Sequence, residues 1–429
     1  MPRPPAVTVR WPILLAWLAL AVEGYDLVVL GAVLPAMSAD WELSGNDGSL
    51  LSTVGLVGVA FGAVGVGLAS DRFGRRPTLL GCVAWFSVLT VACAATPGFT
   101  TLCILRFLAG LGLGGCLPVA LAIAAEYARP GTSGASVTRL MTGYHVGAVL
   151  AALLAIPVIP EQGWRAMFLI GGVLGLVALP LMWARLPESA AYLLVRGRAD
   201  EARELALTYG VVLTHPPTGV ATTRVGPATL LGPRYLRASV AFWVTSFMGL
   251  LLVYGLNTWL PTIMAEAGYA LSASLAMLLT LNVGAVGGLL VAGKIADRSG
   301  TRPITIVWFG LAAAALAALS VDLPIVGVYT VVLAAGLFVF SAQVLVYAYV
   351  SQLYPAQVRA TAIGSAAGVG RAGAIVGPIL AGLLVTAGIA YPWGFYLFAL
   401  VAVLAALAVS TVPNVAAPVE RPGPAPATR

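Results

Sequence analysis

The stretch Gly67-Leu-Ala-Ser-Asp71-Arg72-Phe-Gly74-Arg75-Arg76 follows one long apolar run and precedes another, and its pattern occurs twice in the chain. The second copy reads Gly293-Lys-Ile-Ala-Asp297-Arg298-Ser-Gly300-Thr-Arg302. The offset from Gly67 to Gly293 also relates His145 to Arg371, each of which lies in a glycine-rich apolar run. One constant offset at two landmarks indicates that the chain consists of two related halves.

The apolar runs around these motifs are long enough to cross a lipid bilayer. The 429 residues are 60% hydrophobic and 9% charged, with a mean hydropathy of +0.97, whereas soluble proteins carry about 25% charged residues. A lone apolar segment satisfies its backbone in lipid as a helix, and about 20 residues span the hydrocarbon. The sequence therefore predicts an all-α integral membrane protein with twelve transmembrane helices in two pseudo-symmetric six-helix halves. The predicted helices cover residues 11–36, 49–70, 77–96, 100–125, 135–159, 164–184, 238–260, 273–294, 303–321, 324–350, 360–387 and 391–412.

Polar segments divide the chain into predicted parts. Residues 1–184 form an N-terminal six-helix half, and 185–237 form a central loop that contains a short amphipathic helix near 198–208. Residues 238–412 form a C-terminal six-helix half, and the Pro/Ala-rich tail, 413–429, is predicted to be disordered.

Charge in the loops predicts the orientation of the chain. Basic residues concentrate in alternate loops and acidic residues in the opposite ones, which is the positive-inside pattern. We expect a multi-pass protein of the cell (plasma or inner) membrane with both termini in the cytoplasm. Anionic lipid headgroups explain the net charge of +7 without any nucleic-acid partner.

Two acids in the first predicted helix, Glu23 and Asp26, are candidates for carrying protons. Their spacing of three residues places them on one helix face. A charged acid at mid-membrane costs about 2.5–3.5 kcal/mol, and both burial and a neighbouring carboxylate favour the protonated form. A site whose charge changes with proton occupancy suits a proton-coupled transporter. The alternative interpretation is a structural pair that hydrogen-bonds to neighbouring helices.

Three of the basic side chains inside predicted helices are candidates for substrate or proton chemistry. Arg106 in helix four and Arg371 in helix eleven are candidates for holding a carboxylate, because guanidinium stays charged and binds it through parallel hydrogen bonds. His145 in helix five is a candidate proton relay. The alternatives are an Arg106 side chain that reaches the headgroups, an acidic partner for Arg371 and a packing role for His145.

Polar and aromatic residues of helices seven and ten suit a cavity for a flat polar ring, since rings stack while amides and hydroxyls orient. We favour Asn257 and Tyr347 among them; interhelical bonds or a lipid interface are the alternatives. The full set is Tyr254, Asn257, Trp259, Gln343, Tyr347 and Tyr349.

Residues at the repeated loops are predicted to gate the cytoplasmic side through contacts that exist only when that side is closed. We expect Glu126 to be the partner of Arg72, since an acid at a helix end pairs with arginine or with a facing helix N-terminus. The predicted gating residues are Gly67, Asp71, Arg72, Gly74, Arg75, Arg76, Glu126, Asp297 and Arg298.

Other motifs favour helix packing over chemistry. The glycines of Gly110–Gly115 match a dinucleotide fingerprint but lie inside an apolar span without a preceding strand, so we interpret them as packing residues. Lys294, the only lysine, precedes isoleucine, so no phosphate-binding Gly-Lys-Ser/Thr loop supports an ATP-driven pump. The four cysteines fit no zinc spacing, and we expect no metal, no cofactor and no enzymatic activity.

The repeated Gly-x-x-x-Asp-Arg-x-Gly-x-Arg resembles the signature loop of the major facilitator superfamily. The segments Arg106-Phe-Leu-Ala-Gly-Leu-Gly-Leu-Gly-Gly115 and Leu186-Pro-Glu-Ser189 are similar to other marks of that superfamily. The resemblance covers residues about 11–412 and implies two six-helix halves that rock about a central site.

Within the superfamily the chain resembles the aromatic acid:proton symporters. Their first helix carries Asp-Gly-Phe/Tyr-Asp, and this chain reads Glu23-Gly24-Tyr25-Asp26, with Glu in place of the first Asp. Gly163-Trp-Arg-Ala-Met-Phe168 and Tyr254-Gly-Leu-Asn-Thr-Trp-Leu-Pro261 are also similar to that family.

The resemblance implies proton-coupled uptake of a small aromatic carboxylate by a monomer. Glu23 and Asp26 would carry protons, while Arg106 and Arg371 would balance the substrate carboxylate. Another cargo stays open, including drug or metabolite efflux and uptake of a sugar or organic acid. The Gly-Pro motif typical of antiporters is missing from helix five, which favours symport. A third hypothesis, a membrane sensor, would need a signalling domain, and the central loop and tail offer none.

Overall fold

The computed structural model describes residues 11–127, 133–210, 230–354 and 356–412, without the side chains of residues 68, 71, 133–139, 356, 357 and 360. These residues form fourteen helices and no strand. The helices are α1 Trp11–Trp41, α2 Gly45–Phe73, α3 Arg75–Ala94, α4 Phe99–Glu126, α5 Ser133–Gln162, α6 Trp164–Arg185, α7 Ala190–Val195, α8 Ala199–Tyr209, α9 Leu236–Glu266, α10 Leu271–Ser299, α11 Thr301–Ala318, α12 Ile325–Leu353, α13 Ala356–Thr386 and α14 Ala390–Ser410.

Twelve helices of this described part, all except α7 and α8, are long and apolar enough to cross a membrane. The prediction of an all-α membrane protein with twelve spanning helices is therefore confirmed. The short helix expected near residues 198–208 is α8. The predicted disordered tail, 413–429, lies outside the described residues.

The offset between the two copies of the repeated motif recurs in the helices themselves. Helix α10 both starts and ends at that same offset from α2, at Leu271 and Ser299 against Gly45 and Phe73. We call α1–α6 the first group and α9–α14 the second group. Helix α1 packs on α5, α2 on α4 and α3 on α6, and the second group repeats these pairings as α9 on α13, α10 on α12 and α11 on α14.

Glycine sets the sharp turn at both copies of the repeated motif. Gly74 ends α2 and begins α3 with φ +104°, and Gly300 does the same between α10 and α11 with φ +87°. Residues with a Cβ rarely adopt this left-handed region. Each copy of the motif is therefore a one-residue link that reverses the chain between two membrane helices.

The glycine run in α4 lies against α2. A methyl group on Gly114 would stand 2.0 Å from the backbone oxygen of Val59, and one on Gly110 would stand 2.4 Å from that of Gly55. Small residues allow two helix backbones to approach this closely in a bilayer. The interpretation of Gly110–Gly115 as packing residues, rather than a nucleotide loop, agrees with this contact.

The two ends of the bundle differ in charge. We call the end with the links at Gly74 and Gly300 the basic end, because it carries Arg72, Arg75, Arg76, Arg185, Arg298 and Arg302. We call the opposite end the acidic end, because it carries Asp40, Glu42, Asp47, Glu161, Glu266 and Asp322.

The two groups close against each other at the acidic end. Ser49 of α2 donates a hydrogen bond from Oγ to the backbone oxygen of Pro378 in α13 at 3.0 Å. The indole nitrogen of Trp259 in α9 donates to the same oxygen at 2.9 Å. A methyl group on Gly382 would stand 1.6 Å from Ser49 Oγ, so these helices touch without a gap.

The same two helices have open space beside them towards the basic end. A methyl group on Gly65 or Gly67 of α2, or on Gly364 or Gly368 of α13, would meet no atom within 4 Å. Within the described residues, no hydrogen bond or ion pair joins the two groups on this side. The structure is therefore closed at the acidic end and open between the groups at the basic end.

Candidate functional site

Asp26 lies in the middle of α1, where its carboxylate is fully engaged. Arg106 Nη1 in α4 donates to Asp26 Oδ1 at 2.6 Å, and Thr90 Oγ1 in α3 donates to Oδ2 at 2.8 Å. Arg106 Nη2 also donates to the backbone oxygen of Asp26 at 3.1 Å. Asp26 is 1% and Arg106 3% exposed. These hydrogen bonds hold two opposite charges together inside the bundle.

Arg106 does not reach the headgroups, so that alternative is wrong. Its guanidinium lies 5.7 Å from the centre of the Phe168 ring, and it also interacts with Cys93. Asp26 accepts one hydrogen bond from each Nη group, while Arg106 Nε is buried and has no hydrogen-bond partner among the described residues.

Glu23 has a different environment from Asp26, one turn away on the same helix. It is 3% exposed, and its Oε2 atom has no hydrogen-bond partner among the described residues. Its principal opposite charge is Arg371 of the second group, and it also contacts the thiol of Cys116. The electrostatic interaction between Glu23 and Arg371 occurs without a direct ion pair between them.

Arg371 is half-buried and is surrounded by tyrosine hydroxyls. Its Nη1 donates to the hydroxyl of Tyr254 in α9 at 3.3 Å. Tyr144 of α5 lies within electrostatic range of Tyr254, and Tyr347 of α12 lies within electrostatic range of the guanidinium. All three tyrosines are half-buried. We call Glu23, Arg371, Tyr144, Tyr254 and Tyr347 the central cluster; it draws on both groups of helices.

His145 borders the central cluster and touches the second group. Its ring packs edge-on against Tyr144 at 5.1 Å and against Phe340 of α12 at 5.2 Å between centroids. Nδ1 is buried and has no partner among the described residues. The contacts show an aromatic packing role across the two groups, and a proton-relay role stays a prediction.

The other favoured residues lie in the second group. Asn257 accepts a hydrogen bond from the amide of Asn282 in α10 at 3.1 Å and is 4% exposed. Ser246 links Gln343 to Tyr347: it accepts from the Gln343 amide at 3.2 Å, and its Oγ lies 3.5 Å from the Tyr347 hydroxyl. Tyr347 therefore belongs beside Arg371, whereas Asn257 joins α9 to α10.

Two aromatic candidates lie away from the central cluster. Trp259 bonds Pro378 in the closed acidic end. Tyr349 is 1% exposed and packs edge-on against Phe242 at 5.1 Å, inside the second group. Helix rotation explains the difference, because Tyr349 is two residues from Tyr347 and so points about 200° away from it.

At the basic end, the Leu186–Ser189 motif holds the link at Gly74. The carboxylate of Glu188 accepts hydrogen bonds from the backbone N–H groups of Arg75 and Arg76 at 2.8 and 3.1 Å, which caps the start of α3. A methyl group on Gly74 would stand 2.3 Å from Glu188 Oε2. Position 74 therefore requires glycine for two reasons: its φ is positive, and a Cβ there would collide with the Glu188 carboxylate.

Tyr127 fastens the same motif to α4. Its hydroxyl donates to the backbone oxygen of Glu188. Burial raises the pKa of the Tyr127 phenol, which lies just beyond the end of α4, so it stays protonated and remains a donor.

In this conformation, open at the basic end, Glu126 pairs with Arg75 and not with Arg72, so its predicted pairing with Arg72 in the closed state stays a prediction. Glu126 lies 3.6 Å from Arg75 Nε and accepts a hydrogen bond from Ser189. The Arg72 guanidinium instead lies 5.4 Å from the centre of the Phe73 ring. Gly74 reverses the chain between positions 72 and 75, so only Arg75 faces α4. The Arg75–Glu126 contact is present while the basic end is open, so it is not confined to the closed state.

The remaining gating residues show few contacts in this conformation. Arg76 Nη2 donates to the backbone oxygen of Trp183 at 2.7 Å. Gly67 faces open space, and the side chain of Asp71 lies outside the described part of the chain. Asp297 and Arg298 are exposed and form no ion pair with any residue that the structure describes. Their gating role stays a prediction.

Sequence reasoning missed Thr90, Tyr144 and the capping role of Glu188. Whether Thr90 and Tyr144 point into the site depends on which faces of α3 and α5 turn towards α1. In a wholly apolar span, the hydrophobic pattern does not predict that rotation. Glu188 precedes α7 in the sequence, but the helix that it caps, α3, begins 113 residues earlier, so local sequence gave no signal for that role.

Two acids and two arginines lie at the centre of the bundle. Asp26 forms an ion pair with Arg106, and Glu23 lies within electrostatic range of Arg371. An anion that binds the accessible Arg371 adds a second negative charge beside Glu23, which favours protonation of Glu23. No group of three or more metal-binding side chains occurs among the described residues. The arrangement suits coupled binding of one anion and one proton.

Comparison with known proteins places these features in a family. The model described as Major Facilitator Superfamily matches residues 16–373. The benzoate transport protein of Acinetobacter baylyi is 35% identical over 416 residues, which cover 93% of this chain and 88% of that protein. The gentisate transporter of Corynebacterium glutamicum is 36% identical over 403 residues, covering 93% and 86%.

Solved structures show the same fold. The partially occluded inward open form of the xylose transporter XylE from E. coli aligns with a TM-score of 0.74 over 94% of this chain and 98% of that chain. The identity in this alignment is 19%, so the likeness concerns the fold alone.

Proposed function

The chain belongs to the major facilitator superfamily, whose members are transporters rather than enzymes, and we propose that it takes up a small aromatic carboxylate together with a proton. The printed functions of its relatives, benzoate and gentisate transport, support the cargo class. The resemblance of Glu23–Asp26 to the symporter pattern of helix one supports the coupling ion. No cofactor beyond the proton is part of this proposal.

One observation supports the coupling of substrate to proton. Arg371 is the half-buried cation of the central cluster, and Glu23 is the only described carboxylate of the first group that interacts with it. A substrate carboxylate that binds Arg371 replaces Glu23 as the negative charge that this guanidinium interacts with. The buried Glu23 charge then has no cation, and binding a proton removes that charge. Substrate and proton therefore favour each other's binding, which is the thermodynamic requirement for symport.

The residues around Arg371 suit an aromatic acid. Tyr144, Tyr254 and Tyr347 present half-buried rings and hydroxyls, and Phe340 and His145 extend the aromatic wall. Aromatic rings pack edge-on or offset with a flat substrate ring, while hydroxyls orient its polar substituents. The carboxylate would bind Arg371 through paired N–H donors.

Asp26 takes a different role from Glu23 in this proposal. Because its oxygens accept from Arg106 and Thr90, it holds Arg106 in place while the basic end is open. Proton binding at Asp26 and anion binding at Arg106 require the other conformation, in which this pair separates.

We place the basic end in the cytoplasm, with both chain termini on that side, from the positive-inside pattern. The structure then corresponds to an inward-facing carrier in the cell membrane. Closure of the basic end would bring the two repeated links together, with Asp71, Arg72, Asp297 and Arg298 as gating residues. We propose a monomeric carrier, because the central cluster is built from one chain.

The test is uptake of labelled benzoate and 4-hydroxybenzoate into proteoliposomes with an inward proton gradient. We expect accumulation that a protonophore abolishes, and exchange of labelled for unlabelled acid without any gradient. Folded protein that neither accumulates nor exchanges either acid would contradict the cargo. Export-oriented transport or uptake of a sugar under the same gradient would support the other-cargo hypothesis instead.

A further inference from the structure

A cavity of about 410 Å³ lies at the basic end of the second group, away from the central cluster. It lies between the start of α9, the end of α12 and the start of α13. We call it the α9 pocket; its lining is Arg234, Tyr235, Ala238, Gln352, Leu353, Tyr354 and Arg359.

Two hydrogen bonds fix the walls of the α9 pocket. Ser239 of α9 and the hydroxyl of Tyr354 lie 2.8 Å apart, which ties α9 to the end of α12. Arg359 donates from Nε to the backbone oxygen of Tyr354 at 3.2 Å. Its Nη groups form no hydrogen bond with described residues, and the Arg234 guanidinium lies 5.4 Å from the centre of the Tyr235 ring. Two guanidinium groups are thus available to one ligand.

The charge of the α9 pocket is unbalanced: it contains two arginines and no carboxylate. The groove beneath α8, at the basic end of the first group, is the opposite case. Its lining has Arg76 and Arg198 together with Glu188, Glu201 and Glu204, and Arg198 pairs with Glu201 at 2.6 Å. The excess of positive charge in the α9 pocket is therefore not a general property of the basic end.

The start of α9 adds a second attraction for an anion. The backbone N–H groups of Tyr235 and Leu236 donate to the backbone oxygen of Gly232, and no side chain of the described residues caps the helix beyond them. A helix N-terminus carries partial positive charge, and phosphate groups bind there readily.

The same part of α9 carries exposed apolar side chains. Leu236, Val240 and Val244 recur at every fourth residue and are 43%, 44% and 37% exposed, and Leu231 just before them is 54% exposed. This stripe runs along the helix from the level of the α9 pocket. A ligand with a phosphate group and long acyl chains matches both features, whereas free phosphate matches only the first.

We propose that the α9 pocket binds the headgroup of an anionic phospholipid, with its phosphate between Arg234 and Arg359 and its acyl chains along Leu236 and Val240. Guanidinium groups bind phosphate through paired hydrogen bonds. Basic pockets between membrane helices on the cytoplasmic side bind such headgroups. The site holds α9, α12 and α13 together at the boundary of the membrane.

The experiment measures lipid binding to the purified, delipidated full-length chain by native mass spectrometry. The probes are phosphatidylglycerol, phosphatidylcholine and inorganic phosphate. We expect phosphatidylglycerol to bind the wild type more tightly than phosphatidylcholine, and each of Arg234→Gln and Arg359→Gln to weaken it by about fivefold. Arg234→Lys with Arg359→Lys keeps the charge and should retain most of the binding. Arg203→Gln, an exposed arginine on α8, is the matched control.

Several results would overturn the proposal. Equal binding of the zwitterionic and anionic lipids would remove the role of net charge. Displacement of phosphatidylglycerol by an equal concentration of inorganic phosphate would identify a free-anion site instead. A loss in Arg203→Gln as large as in the pocket variants would show only nonspecific surface attraction. Thermal unfolding of each variant separates misfolding from lost binding.

Discussion

Arg106 donates a 2.6 Å hydrogen bond to Asp26 at a depth where neither side chain is more than 3% exposed. Two opposite charges buried together in this way depend on one another. Each neutralises the other, and removal of either leaves an uncompensated charge in the interior.

Substitution of only one residue of this pair should therefore destabilise the protein strongly. We expect Asp26→Asn or Arg106→Gln alone to cost about 3–5 kcal/mol, because each leaves a lone buried charge. The double variant, which leaves none, should recover much of that loss. Thermal unfolding in detergent of all four proteins in a double-mutant cycle measures the coupling. Purely additive losses would mean that the pair does not exist in the folded protein.

Glu23→Gln should uncouple transport from the proton gradient. Wild-type affinity for the anion should rise as pH falls, because protonated Glu23 no longer adds negative charge beside Arg371. In Glu23→Gln the affinity should stay constant between about pH 6 and about pH 8, where the substrate stays ionised because carboxylic acids titrate at about pH 4. Substrate binding across pH, with exchange and accumulation in proteoliposomes, provides the measurement.

Glu23→Asp is the matched control for this uncoupling. It keeps a carboxylate and should keep pH-dependent binding and gradient-driven accumulation, with altered affinity from the shorter side chain. If Glu23→Gln still accumulates substrate as the wild type does, the proton is carried elsewhere, and Asp26 is the next candidate.

Tyr254→Phe should weaken substrate binding by roughly tenfold, as expected for loss of a hydrogen bond to a charged group. Without the 3.3 Å bond to the tyrosine hydroxyl, Arg371 is free to turn towards Glu23 and becomes less available to an anion. Tyr329→Phe is the control, because its hydroxyl bonds Ala273 in the second group and is not part of the central cluster. Isothermal titration with the substrate tests this, and unchanged or tighter binding would refute the positioning role.

Gly382→Ala should open the acidic end. Its new methyl group would overlap Ser49 Oγ at 1.6 Å and the Gly45 backbone oxygen at 2.6 Å, so the closed packing of α2 on α13 cannot form unchanged. Spin labels at positions 50 and 383, both exposed near this end, should move apart in pulsed-dipolar spectra. The native cysteines are buried or half-buried, which limits background labelling.

Gly368→Ala is the control for that distance measurement. It lies on the same helix but has open space around it, so its methyl group should leave the distribution unchanged. An identical shift in both variants would point to a general disturbance of α13 rather than to the contact with Ser49.

The fold was predictable because its signals repeat. Twelve apolar runs and one constant offset between the halves are properties of the chain itself, and the helices α2 and α10 keep that offset at both ends. Among the site residues, Glu23, Asp26, Arg106 and Arg371 were conspicuous because charge inside a membrane is costly.

The pairing of these charges was not predictable, because it depends on helix rotation and on distance between helices. Both acids share a face of α1, yet Asp26 forms an ion pair with Arg106 of the first group, while the principal opposite charge near Glu23 is Arg371 of the second. The pairing of Glu126 with Arg75 instead of Arg72 in this conformation has a local cause, since the left-handed Gly74 turns the following arginine towards α4. The spacing of charged residues in the sequence does not predict the chain reversal at Gly74.

The backbone oxygen of Pro378 accepts from Trp259 in its own group as well as from Ser49 across the interface. When the acidic end separates, Ser49 leaves, while this carbonyl keeps the indole and its place in the backbone hydrogen-bond ladder of α13. Opening thus gives up one hydroxyl hydrogen bond. A small and reversible energy difference between the two ends is what repeated turnover needs, and the shared acceptor keeps it small.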